Sequence, residues 1–147
     1  MISSRFKCWI VLLGCAAVVL TASIRTLADD APADEWKAPT RAAKKKNPVP
    51  ADEKSIAVGK EVYIHQCLSC HGPTGRGDGP ASKDLNPKPH NLGAANVAEQ
   101  SDGALFWKIT EGKKPMPSFE KLISEDERWH VINYIRTFGP PATQPAK

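Results

Sequence analysis

The chain has 147 residues and a formal charge of +4, with 41% hydrophobic and 24% charged residues, 13 Pro, 10 Gly and 4 Cys. That size suits one modest domain with extra segments and excludes a large catalytic barrel. Residues 1–28 hold Arg5, Lys7 and Arg25 and no acid, so the rest of the chain carries only +1 and shows no basic stripe or aromatic platform for a nucleic-acid partner.

Residues 8–24, CWIVLLGCAAVVLTASI, are an uncharged apolar run preceded by Arg5 and Lys7. They read as the core of an export signal, with cleavage after Ala28 at the small-residue site Thr26-Leu27-Ala28. Two alternatives stand beside it. A run of 17 residues is at the lower edge of what spans a bilayer, which suits an uncleaved anchor, and Leu12-Leu13-Gly14-Cys15 resembles a lipobox. All three place residues 29 onward in the periplasm or on the outer face of the cytoplasmic membrane, and the last two associate the N-terminus with that membrane.

Residues 29–51 are rich in Ala, Pro and Lys with a single aromatic, and their composition predicts a linker that buries too little surface to order itself. The tract Lys44-Lys45-Lys46 reads as solvated charge, with an anionic membrane surface as its alternative partner. Periodicity begins at residue 52 and defines a domain over 52–139, followed by a flexible tail at 140–147. A first helix is predicted from Asp52 to Cys70, with Ile56, Gly59, Tyr63, Cys67 and Cys70 on one face. A second runs from the N-cap Ser101 through Leu105, Phe106 and Ile109 to Gly112. A third starts at the capping box Ser124/Glu127, buries Val131, Ile132, Ile135 and Phe138, and ends before Gly139-Pro140-Pro141, with Arg136 near its negative pole. No stretch alternates like a strand. The prediction is an all-α domain of about three main helices joined by long Gly/Pro-rich loops.

Cys67-Leu68-Ser69-Cys70-His71 carries the chemistry. Two cysteines three apart on one helical face can each form a thioether with a haem vinyl group, and His71, four residues beyond Cys67, then reaches the iron. Other readings are weaker on physical grounds. A redox Cys-x-x-Cys belongs beside a βαβ pattern, which is lacking, and a zinc site would have to recruit His65, His71 or His90 at irregular spacing. A disulfide across one helical turn is sterically poor.

On these residues the domain resembles the class I c-type cytochromes of the small single-haem bacterial kind, over residues 52–139. Gly59-Lys60-Glu61-Val62-Tyr63 before the motif is similar to that family's N-terminal helix, and Trp129 to Phe138 to its C-terminal helix. The resemblance implies a close helix crossing at Gly59 against Tyr134, with Tyr63 packed beside it. It also implies one covalent haem c, held by Cys67 and Cys70 and ligated by His71 and by Met116. Met116 sits in Lys114-Pro115-Met116-Pro117, where Pro115 and Pro117 stiffen the backbone that presents the thioether. His90 is the rival second ligand, while His65 lies on the motif's own helix; His90 and His130 are otherwise expected at the surface. The Gly-rich loop 72–80 would turn round the haem edge, with the Pro80 carbonyl accepting from His71 Nδ1. Trp107 resembles an aromatic near the propionates, or is a core Trp.

His/Met ligation leaves no open iron site and raises the potential, which is electron-carrier chemistry rather than enzyme chemistry. The expected function is a single-electron shuttle between redox protein partners, alone or as the haem subunit of a membrane respiratory complex, to whose acidic surfaces Lys88, Lys108, Lys113 and Lys114 could be steered. A gas or peroxide sensor in which Met116 detaches is the alternative, and a peroxidase is the enzyme-class reading.

Overall fold

The structure, a computed structural model, describes residues 36–139. The signal, anchor and lipobox readings and the tail lie outside the described residues. Six α-helices appear among the described residues, α1 (Thr40–Ala43), α2 (Glu53–Gln66), α3 (Leu68–His71), α4 (Ala95–Ala98), α5 (Asp102–Glu111) and α6 (Glu125–Arg136), with a 3-10 turn at Pro80–Asp84. Only α2, α5 and α6 exceed one turn, and no strand occurs among the described residues.

Local chemistry sets the ends of these helices. Asp52 Oδ1 accepts from Ser55 N at 2.8 Å at the start of α2, and Ser101 Oγ accepts from Ala104 N at 3.2 Å at the start of α5. In the capping box of α6, Ser124 Oγ accepts from Glu127 N at 3.2 Å and Glu127 Oε2 accepts from Ser124 N at 2.7 Å. The Ser124 backbone N–H holds the Glu127 carboxyl below its usual pKa. The first helix is shorter than expected. It breaks at Cys67 (φ −118°, ψ −32°), so the haem-attachment motif occupies a separate turn, α3.

Helices α2 and α6 form the central pair. The buried face of α2 is Ser55, Gly59, Val62 and Tyr63; it keeps Gly59 and Tyr63 of the expected face but is rotated towards Ser55 and Val62, leaving Ile56 only partly buried. The helices meet at Gly59. A Cβ there would collide with the carbonyl oxygen of His130, 2.6 Å from its carbonyl carbon and 3.0 Å from Cβ of Tyr134. Two apolar clusters flank α6: Val62, Tyr63, Phe119, Ile123, Val131 and Ile135 on one side, and Val97, Leu105, Phe106, Trp129 and Ile132 on the other. Phe106 stacks on Trp129 with ring centres 4.0 Å apart. Arg136 does more than face the helix dipole. Its guanidinium binds Asp102 Oδ1 at 2.7 Å and the carbonyls of Ala98 and Gln100, joining the end of α6 to the approach to α5.

The stretch expected to be a linker is packed from Trp36 onward. Within it, α1 lies against α5, where Ser101 Oγ donates to Ala43 O at 2.6 Å. Lys45 Nζ pairs with Glu125 at 2.7 Å and stands 4.5 Å from the centre of the Phe106 ring. Val49 joins the second apolar cluster. The buried side chain of Asn133 is the main clasp: its Nδ2 donates to Val49 O and Pro50 O, both at 3.3 Å, and to Ser55 Oγ at 2.7 Å. Asn47 Nδ2 donates to Asn133 Oδ1 at 2.8 Å. Composition missed this strap because the partners that hold it, polar and apolar, lie far away in sequence.

Two substitutions test this architecture in the haem-loaded protein. Gly59→Ala drives a methyl into backbone and should lower unfolding stability by about 2–3 kcal/mol in denaturant titration. Asn133→Ala strands several partners and should cost about 2–3 kcal/mol in the same measurement, with the strap becoming susceptible to proteolysis before the domain unfolds.

Candidate haem site

The motif turn α3 is held from two sides. Tyr63, 1% exposed, donates from its hydroxyl to Gly72 O at 2.6 Å. Its ring lies 5.3 Å from those of both Tyr134 and Phe138, and burial pushes its pKa up. The Gly-rich loop folds back on the motif, with Gly77 N donating to His71 O at 2.8 Å and Gly79 N to Cys70 O at 3.1 Å. Glycine is required at 72, 75 and 77, where φ is +76°, +71° and +77°.

Cys67 and Cys70 are unbridged. Burial, with a smaller contribution from neighbouring Cys70, pushes the Cys67 thiol up to about 12. A redox-active Cys-x-x-Cys needs a lowered thiol pKa, so this site does not suit disulfide exchange. Among the described residues no group of three or more His, Cys, Asp or Glu is placed to hold a metal ion, which leaves the zinc reading without geometry.

Burial lowers the pKa of His71, and the charge of His90 adds to the effect against the opposing influence of the His90 backbone. The imidazole is therefore held neutral, the form that ligates iron. Its Nδ1 is buried without a hydrogen-bond partner. The bond expected to the Pro80 carbonyl is thus not formed. The His90 backbone adjoins the ring, and Pro80 opens the 3-10 turn that packs against α3. His90 itself is exposed and adjoins His71, while His65 is exposed on α2. His130 is half-buried rather than superficial, its Nδ1 2.9 Å from Ser55 Oγ.

Met116 is half-buried and packs on the same apolar cluster as Cys67, Leu68, Leu92 and Ile109. Its loop is tightly tied. Lys113 N donates to Met116 O at 3.0 Å and Met116 N to Lys113 O at 2.9 Å. Phe119 N donates to Ile109 O at 3.1 Å, and Ser118 Oγ to Thr110 O at 2.6 Å. Gly112, at φ +68°, lets the Pro117–Ser118 peptide pass where a Cβ would stand. Pro115 and Pro117 are exposed on either side of Met116. Trp107 is half-buried on α5, its ring 6.3 Å from that of Trp36 in the strap. Sequence reasoning did not find this partner, because Trp36 lies in a stretch without periodicity.

The residues present fit a covalently held haem: two unbridged thiols, a neutral buried imidazole with an orphaned Nδ1, and a thioether and thiol on one half-covered apolar cluster.

Comparison with known proteins agrees. The chain is 30% identical over 88 residues to cytochrome c6 of Chlorolobion braunii, covering 56% of this chain and 90% of that one. It is 31% identical over 87 residues to the cytochrome bc1 complex cytochrome c subunit of Corynebacterium diphtheriae, of which it spans 28%. A chain of the Kuenenia stuttgartiensis reducing HAO-like protein complex superimposes with a TM-score of 0.58 at 32% identity, covering 63% of this chain and 47% of the other. Residues 54–135 match the family described as cytochrome c oxidase, cbb3-type, subunit III. The chain therefore belongs to that family of c-type cytochromes, with its all-α fold and its covalently bound haem c.

Proposed function

We propose that the protein is an exported single-electron carrier, acting alone or as the haem subunit of a membrane-associated oxidoreductase complex. Cys67 and Cys70 would hold the haem through thioethers, and His71 and Met116 would ligate its iron. Bound there, the haem supplies reversible one-electron exchange between ferric and ferrous iron. The chain's own residues keep the ligand set constant. Tyr63 fixes the carbonyl next to His71, burial keeps His71 neutral, and the apolar cluster beneath Cys67 and Met116 keeps water from part of the site.

The observation that carries this reading is the fixed Met116 loop. The Met116 backbone is pinned by both Lys113–Met116 hydrogen bonds and by the ties from Ser118 and Phe119 to α5, so a sensor would have to release the thioether by side-chain rotation alone, out of its packing on the apolar cluster. Export is supported by the apolar run 8–24 behind Arg5 and Lys7. Redox partners within a complex are supported by the names of two relatives, a bc1 subunit and a chain of an HAO-like complex.

Replacing both Cys67 and Cys70 by Ala should abolish haem staining on a denaturing gel, and persistent staining would refute covalent attachment through this motif. Met116→Ala should remove the thioether-to-ferric charge-transfer band, lower the reduction potential and let the reduced protein bind CO, which the parent protein resists. Gly112→Ala, which leaves Met116 in place but strains its loop, should give a mixed population with partial CO binding. Ready CO binding by the unaltered protein would favour the sensor instead.

A further inference from the structure

Arg128 is buried near the start of α6, with 7% of its surface exposed. Taking a guanidinium out of water is costly unless its protons find partners. Those it finds are backbone carbonyls of a single segment. Nη1 donates to Phe119 O at 3.2 Å, to Glu120 O at 3.1 Å and to Ile123 O at 2.8 Å, while Nε is buried without a partner. The guanidinium carbon stands 5.1 Å from the centre of the Phe106 ring on α5. The segment held in this way begins three residues after Met116. Its own backbone bonds are long, with Leu122 N and Ile123 N donating to Phe119 O at 3.2 and 3.3 Å. Arg128 therefore gathers carbonyls that the turn itself ties only loosely.

We propose that Arg128 is a positioning residue for the Met116 ligand, holding the segment that follows the Met116 loop so that the thioether stays at the haem site. The route between them is short. Phe119 and Ile123, whose carbonyls Arg128 holds, are buried members of the cluster on which Met116 packs. The two Lys113–Met116 bonds close the loop on itself, and the ties from Ser118 and Phe119 join it to α5. Arg128 joins it to α6, the helix that crosses α2 next to the haem motif. Without the guanidinium, the carbonyls of Phe119, Glu120 and Ile123 lose a donor, and the turn opens more readily than the domain unfolds. This role rests on ligation by Met116, and the experiment below separates the two.

The haem-loaded protein is compared with its Arg128→Met, Arg128→Lys and Asn133→Ala variants. The readouts are the thioether-to-ferric charge-transfer band, the rate of CO binding to the reduced protein and the midpoint of denaturant unfolding. Arg128→Met should weaken the band and bind CO at least about tenfold faster than the parent, because the carbonyls lose their donor. Arg128→Lys, whose ammonium offers three donors to the same oxygens, should bring both back towards the parental values. Asn133→Ala, which loosens the strap on another side of α6, should lower the unfolding midpoint and leave the band and the CO rate unchanged. If Arg128→Met takes up no haem, Arg128→Gln is read in its place with the same expectation. A parental band and CO rate in the Met or Gln variant would overturn the proposal, and so would an equal rise in CO binding by Asn133→Ala, which would reduce Arg128 to a general stabiliser. A band that survives Met116→Ala would overturn ligation by Met116 itself, and the role of Arg128 with it.

Discussion

The structure depends on the close crossing of α2 and α6. Because residue 59 has no side chain, the backbone of α2 can lie against the His130 carbonyl, and that approach decides where the rest of the domain can sit. Along α2, it places Tyr63 under the motif turn, where a single phenolic hydroxyl reaches the Gly72 carbonyl. Along α6, it puts Val131 and Ile135 into the cluster on which Cys67 and Met116 rest, and turns Trp129 and Ile132 to the opposite side. The cost of Gly inside a helix, about 1 kcal/mol relative to Ala, is offset by this packing.

The two sides of the site are stiffened by different means. On the His71 side, backbone bonds from Gly77 and Gly79 wrap the Gly-rich loop around α3. On the Met116 side, a two-bond hairpin is tied to the last turn of α5, so the thioether is presented by a short, closed segment rather than by a long loop. Both arrangements order the backbone that carries the two proposed ligands. A fixed backbone on either side suits a centre proposed to change charge and little else.

Much of this was legible in the sequence, where local signals sufficed. Ser101, Gly112 and the Ser124/Glu127 pair marked the ends of α5 and α6 because capping is a contact between near neighbours. The Cys67-to-His71 motif was equally plain, since its chemistry requires a fixed spacing. What escaped was long-range and polar. No Gly or Pro announced the break at Cys67. Ser55 is buried because Asn133, 78 residues away, donates to it, and Trp36 to Pro50 resembled a linker because its fixation depends on Asn133, Glu125 and Ser101. The approach of His90 to His71 was not foreseen either, because it is set by how the loops fold over Gly77.

The Gly-rich loop also ties the two ends of the domain together. A Cβ at Gly75 would meet the ring of Phe138, and Tyr63 packs against that same ring, so one of the last described residues supports a motif placed near the start of the domain. Tyr63 in turn holds the Gly72 carbonyl beside His71. A change at Phe138 would therefore be felt 67 residues away, at the motif, without any contact between the two being altered directly.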